Sequence, residues 1–327
     1  VTARRPINLF YAEPEGDRWL PFDRYPRRII RRIVHGPPRA IGQKMVFLNL
    51  CAGLRKLGVP FRVNDHRHAR RNPSELVCIV GKPFLLDKHE WKNPILFGAS
   101  VFSHPCDDPR LLERLPVRRI LVPGPWIEAM FREHYPADKV FMWPAGIDTE
   151  KWKPAPQAKD LDFLVYFKLR WDKPRLEAEF LAPLLAELDR RGLTHHVIRY
   201  GQHRAPDFLA GLHRARAMIF LCEHETQGLA YQEALATGVP LLSWRGTDVW
   251  VDPEYHPERV TYGPVSATPY WDDRCGVQFP GVAGFPAALD EFLARLPEFR
   301  PREFILDGLT LEQSARMYLE HHDAVSG

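Results

Sequence analysis

Short apolar runs alternate with helix-patterned segments along nearly the whole chain, and this alternation leaves few folds open. Strands buried on both faces read as continuous apolar runs, and parallel sheets need a crossover helix between them. "INLFYA" reads as a first strand, followed by a helix over "QKMVFLNLCAGLRKLG" that stops at Gly58, a residue suited to a helix C-terminus. "PFRVN", "LVCIVGK", "ILFGAS" and "RRILVPG" follow as strands. A helix over "PWIEAMFREHY" has Pro125 in its first turn, and "VFMWPAGID" closes the series. Residues 149–160, "TEKWKPAPQAKD", lack apolar periodicity and read as a linker. A second series then runs from "LDFLVYFK" through a helix over "RLEAEFLAPLLAELDRRG", the strand "HHVIRYG", a helix over "APDFLAGLHRAR" and the strand "AMIFLC". The helix of "ETQGLAYQEALATG" and the strand "VPLLSW" come next. "TLEQSARMYLEHHDA" is a last helix, with Thr310 and Gln313 spaced as a capping box. The expected fold class is α/β, with two Rossmann-like domains facing a cleft and ligands at the carboxyl ends of the strands.

Composition agrees with a globular α/β chain and excludes several alternatives. The 327 residues are 45% hydrophobic and 26% charged, enough apolar material for two cores. No apolar run approaches the roughly 20 residues that span a bilayer, and the first residues lack a signal-peptide apolar stretch. The five cysteines are widely spaced without a CxxC, which points to reduced thiols in a cytoplasmic protein. A net charge of +4 gives no argument for nucleic acid as a partner. Neither a GxSxG elbow nor a phosphate-binding P-loop occurs. Asp160 and Asp162 form an Asp-x-Asp of the kind that holds a divalent cation, but they precede a strand inside the linker, so no metal site is expected.

The densest chemistry lies in "FLCEHETQGLAYQEALATGVPLLSW". A strand ends near Cys222, a loop carries Glu225, and Gly228 opens a helix that holds Glu233. The start of such a helix offers the amides of Gly228 and Leu229 to an anion. On a continuous helix the two carboxylates would stand ~12 Å apart along the axis. That is too far to share one glycosidic bond, where about 5–9.5 Å is expected. It suits two hydroxyl-bearing groups on either side of a diphosphate, because a carboxylate accepts strong hydrogen bonds from hydroxyls.

This segment resembles the Glu-x7-Glu motif of the retaining GT-B glycosyltransferases called group 1, or family 4. "VFMWPAGIDTEKWKP" is similar to that family's hinge between domains. The resemblance implies an N-terminal acceptor-binding domain over 1–150, a nucleotide-sugar domain over 151–305, and a C-terminal helix over 306–327 that returns to the first domain. It implies that Glu225 binds the donor sugar, that Glu233 binds the ribose, and that the Gly228 and Leu229 amides lie at the diphosphate. Lys168 and Lys173, five apart past the end of a strand, stand where the family has an Arg and a Lys on the diphosphate. Arg170 can replace the missing Arg; Lys offers a point charge without the planar fork. Gln227 stands where an aromatic is usual.

Two further positions follow from the resemblance. Gly42 falls where the family often has paired glycines near the donor phosphates or the acceptor, and simple turn geometry explains a loop glycine equally well. His104 falls where the family has a histidine facing the donor sugar, against the alternative of a structural histidine; with Lys168, Lys173 and Glu225 it completes the candidate catalytic set. The implied activity is metal-independent transfer of a sugar, typically a hexose, from a UDP- or GDP-sugar to a hydroxyl of a glycan, lipid-linked or small-molecule acceptor, with retention at the anomeric carbon. The donor is a co-substrate, and no bound cofactor is implied. A catalytically silent sugar-nucleotide-binding protein, or an epimerase or hydrolase on the same fold, are the alternatives. Finally, "RYPRRIIRRIVHG" gathers Arg24, Arg27, Arg28, Arg31 and Arg32 without an acid, and on a helix Arg27, Arg28, Arg31 and Arg32 would cover one side. Such a face is either solvated, turned to a charged acceptor, or laid on anionic lipid at the inner face of the membrane.

Overall fold

A computed structural model describes residues 4–13, 42–99, 101–251 and 260–326 of the chain. Arg24, Arg27, Arg28, Arg31 and Arg32 lie outside the described residues. The chain divides into two compact units. Unit 1 comprises Val1–Val122, Phe131–Trp143 and Ala315–Gly327; unit 2 comprises Pro123–Met130 and Pro144–Ser314.

Unit 1 is built on six parallel strands: β1 (Ile7–Phe10), β2 (Phe61–Val63), β3 (Val77–Ile79), β4 (Ile95–Gly98), β5 (Val117–Val122) and β6 (Val140–Met142). Their order is β2-β1-β3-β4-β5-β6. Short helices at His66–Arg71, Phe84–Lys88 and Leu111–Arg114 fill crossovers that carry too few apolar repeats to be read from sequence. Trp143, Phe10, Phe97, Phe131 and Tyr318 are among its fully buried side chains. The helix Leu311–Asp323 supplies Tyr318, whose ring meets Trp143 edge-on at 4.9 Å. From Ala315 onward this helix belongs to unit 1, as expected of a returning C-terminal helix. The Thr310–Gln313 capping box forms at its start: the Gln313 amide donates to Thr310 Oγ1 at 3.2 Å and the Thr310 amide donates to Gln313 Oε1 at 3.0 Å.

Unit 2 holds five parallel strands: β7 (Leu161–Phe167), β8 (His195–Arg199), β9 (Ala215–Leu221), β10 (Leu241–Trp244) and, after a small antiparallel pair β11 (Trp250–Val251) and β12 (Thr261–Tyr262), β13 (Gly276–Phe279). Their order is β13-β10-β9-β7-β8. The chain steps from β7 outward to β8, then back across β7 to β9. β7 and β9 therefore flank a topological switch point, where open α/β sheets leave room for ligands. The period of two explains the two cores. Leu164, Tyr166, Met218 and Phe220 enter one cluster, while Phe163, Val165, Phe167, Ile219 and Leu221 enter the other.

The segment read as one long helix at "RLEAEFLAPLLAELDRRG" is interrupted. Helical turns over Lys173–Leu176 pass into a π-turn at Glu177–Leu181 before Ala182–Arg190. Pro183 is the physical reason: it has no amide hydrogen, and its ring crowds the carbonyl one turn back. The segment 149–160 carries no helix or strand, yet Trp152 is buried in unit 2. The Arg302 guanidinium fixes this stretch by donating to the carbonyls of Trp152 at 3.0 Å and Thr149 at 3.1 Å. Gly146 of the "PAGID" sequence has a packing reason: a Cβ there would lie 2.7 Å from both Leu311 Cα and the Thr310 carbonyl. Asp148 caps the following turn, accepting from the amides of Glu150 and Lys151 at 3.2 Å each. Among the described residues, no helix is long and apolar enough to cross a membrane.

Candidate active site at a strand switch point

β7 and β9 end side by side, and the residues just beyond them meet. Lys168 follows β7, and its amide still donates to Leu221 of β9 at 2.8 Å. Its ammonium forms an ion pair with Glu225 Oε1; the two side chains are 13% and 7% exposed. Burial is the largest influence and draws the Lys168 pKa down, but its negative surroundings, Glu225 foremost, together outweigh it and hold the ammonium above its ordinary value. The same ammonium lies 4.7 Å from the centre of the Tyr200 ring, a cation–π contact.

The loop that carries Glu225 is fixed from several sides. The Glu225 amide donates to the Ser266 carbonyl at 2.9 Å, and Trp126 Nε1 donates to the Glu225 carbonyl at 2.6 Å. The Thr247 amide donates to the Glu223 carbonyl at 2.8 Å. Two glycines let backbone approach closely: a Cβ on Gly246 would lie 2.2 Å from the Glu223 carbonyl oxygen, and one on Gly124 2.2 Å from that of Thr226. Gln227, the departure from the expected aromatic, is buried. It accepts from the Ala145 amide at 2.9 Å and donates to Gln232 Oε1 at 3.1 Å. A polar tether thus does the holding that a ring would do by packing.

Gly228 takes a left-handed conformation (φ 77°) as the cap of the helix Leu229–Ala236. A Cβ there would strike the Tyr231 ring at 2.0 Å, so both backbone and packing demand glycine. Leu229 opens the helix, and Glu233 follows one turn later on the same face. Burial pushes the Glu233 carboxyl up to about 8, against a weak opposing attraction from Lys151. The ~12 Å separation drawn from a continuous helix does not apply, because Glu225 to Gln227 are loop residues. Both carboxylates are instead felt electrostatically at Tyr166 of β7. Its hydroxyl is held well above the ordinary range, first by burial and then by the fields of Glu225 and Glu233.

The structure therefore joins Lys168 to Glu225 and sets Glu233 within electrostatic reach of the same hydroxyl. Arg170 lies alongside, its guanidinium donating to the His224 carbonyl at 3.2 Å. Lys173 is exposed at the start of its helix, and no ion pair or hydrogen bond among the described residues ties it to this cluster. Gly42 and His104 belong to unit 1. Gly42 (φ 52°) caps the helix Gln43–Lys56, and no described atom lies within 4 Å of where a Cβ would point. His104 is buried and caps the turn Pro105–Asp107, its Nδ1 accepting from the Cys106 amide at 3.2 Å. Among the described residues, no group of three or more His, Cys, Asp or Glu side chains is placed to hold a metal ion. Sequence reasoning missed Tyr166, Glu223 and His224. Only the crowding of "CEHE" hinted at the last two.

Cations beside a helix start can receive an anion, and carboxylates set among them can accept hydroxyls. No family model and no curated protein matches the sequence. Solved structures do match in fold, and the chain has the two-sheet α/β GT-B fold. It is similar to sucrose-phosphate synthase from Thermosynechococcus elongatus, at 14% identity over 98% of this chain and 99% of that one, with a TM-score of 0.58. It is similar to HepE of Anabaena in complex with UDP and glucose, at 9% identity over 98% and 100% of the two chains, TM-score 0.58. It is also similar to WaaG, a glycosyltransferase involved in lipopolysaccharide biosynthesis, at 14% identity over 89% and 97%, TM-score 0.51.

Proposed function

We propose that this chain is a glycosyltransferase that moves a sugar from a nucleotide-diphosphate donor to an acceptor hydroxyl. The observation that carries the proposal is the Lys168–Glu225 pair at the β7/β9 switch point, with Glu233 on the helix that starts at Gly228. Glu225 accepts from donor-sugar hydroxyls and Glu233 from the ribose. The diphosphate lies against Lys168, Arg170, Lys173 and the first-turn amides of Gly228 and Leu229. HepE, similar in fold, was solved with UDP and glucose, so UDP-sugars are the donors to try first.

Departure of the diphosphate is the difficult step. The C1–oxygen bond breaks with its electron pair going to the phosphate oxygen, where preorganised cations stabilise the growing charge. The acceptor oxygen bonds to C1 on the same face, and its proton passes to the leaving phosphate, giving retention. Because side-chain cations meet that charge, transfer persists in EDTA. The test is transfer from UDP-, GDP- and dTDP-sugars to an acceptor panel, with the product's anomeric configuration read by NMR. Tight nucleotide binding without any transfer would instead favour a silent binding protein. Nucleotide release without acceptor would favour a hydrolase.

A further inference from the structure

Beside the pair there is a pocket that the proposed donor contacts leave unused. It measures ≈ 130 Å³ and is lined by Trp171, Glu223, His224, Thr247 and Val249. That is roughly four waters' share of liquid volume, enough for one compact polar ring or part of one. Glu223 and His224 are 3% and 4% exposed and form its floor, whereas Trp171 and Val249 are 38% and 49% exposed and form its rim.

Under a mostly apolar wall the floor holds two polar side chains whose hydrogen bonding is incomplete. Glu223 Oε1 is committed, accepting from the Arg170 amide at 2.7 Å and the Trp171 amide at 3.2 Å. Among the described residues, Glu223 Oε2 is buried without a hydrogen-bond partner, and so is His224 Nδ1. Buried polar atoms are nearly always satisfied, and a bare carboxylate oxygen is among the costliest to leave unmade. Burial, then the Arg170 charge, push the His224 pKa down to about 4, so its imidazole is neutral at pH 7. The ligand chemistry follows by elimination. An anion would face Glu223, and a cation would face the Arg170 guanidinium on the His224 carbonyl. A neutral hydroxyl donates to Oε2 and still has lone pairs for a ring nitrogen. A sugar ring adds an apolar C–H face, which Trp171 and Val249 can cover.

We infer that this pocket is a pyranose subsite in which Glu223 Oε2 and His224 Nδ1 read a hydroxyl and Trp171 covers the ring. The inference rests on the glycosyltransferase reading only for the origin of the ring, donor or acceptor. Glu223→Gln is the informative change. It keeps an oxygen for the Arg170 and Trp171 amides and replaces the unpaired acceptor with an NH2 donor, removing a charge-assisted bond. Trp171→Ala tests the rim independently, without touching the buried loop.

The experiment titrates the full chain and both variants with UDP, UDP-glucose, UDP-galactose, UDP-N-acetylglucosamine and the corresponding methyl glycosides, followed by calorimetry and ligand-observed NMR. If the donor's sugar occupies the pocket, the gain in affinity of a UDP-sugar over UDP falls about tenfold in each variant while UDP binding is unchanged. If the acceptor's sugar occupies it, a methyl glycoside loses about tenfold and the UDP-sugar gain stays. The inference is overturned if both variants bind every sugar-bearing ligand as the parent does, or if the parent gains nothing from any sugar. Failure of UDP itself to bind would count against the glycosyltransferase reading, while the methyl glycosides would still decide the pocket.

Discussion

At the scale of residues, the Lys168–Glu225 pair is a buried contact whose partners depend on each other. Removing one partner leaves an uncompensated charge, whereas replacing both with neutral groups is far better tolerated. Glu225→Gln is therefore expected to lower transfer by about 10²–10³-fold and to lower the melting temperature. Adding Lys168→Met should recover part of the stability and none of the activity; a double-mutant cycle by thermal denaturation and initial rates measures both. Glu233 gives a pH prediction. Its folded pKa of about 8 lies above its ordinary 4.5. The native state then holds more protons than the unfolded chain between those values, so this group's stabilisation is complete below 4.5 and is lost as pH rises through 8. Melting curves from pH 5 to 9 should show the parent losing stability relative to Glu233→Gln. Glu225 and Glu233 were legible because spacing and a glycine survive in sequence. Their shared electrostatic influence on Tyr166 was not, since it depends on how far β9 runs before its loop turns.

At the scale of elements, the site depends on a loop held between glycines and a helix that starts on one. Gly228→Ala must place a methyl into the Tyr231 ring at a left-handed φ. The expected cost is at least about 2 kcal/mol, read as a lower denaturation midpoint together with weaker UDP binding. By contrast, Thr310→Ala removes only the capping box of the last helix and should cost about 1 kcal/mol, with nucleotide affinity unchanged. Most strands of both sheets were readable because buried parallel strands are apolar along their length, whereas β13, short and carrying Gly276 and Gln278, was not read. The capping box was readable because it is local. The π-turn before Pro183 was not, since a proline inside an apolar helical pattern can equally end the helix. Gly124 and Gly246 also escaped notice, because their close approaches are to chain distant in sequence.

At the scale of the whole molecule, the alternation of strands and helices led to the two-sheet α/β fold that the structure has, and the GT-B likeness extends over nearly the full chain. A ligand that binds only the native state stabilises it by mass action, about 2.7 kcal/mol at a hundredfold excess over Kd. A UDP-sugar that occupies the site should therefore raise the melting temperature of the parent, and much less that of Glu225→Gln; a thermal-shift titration checks this. One consequence concerns biosynthesis. Unit 2 is complete once Ser314 has been made, whereas unit 1, begun first, still lacks the strip from Ala315 that brings Tyr318 to Trp143. During synthesis, the strands of unit 1 are thus made before those of unit 2 but wait for a helix made after them. Until that helix is made, Trp143 lacks the cover of the Tyr318 ring.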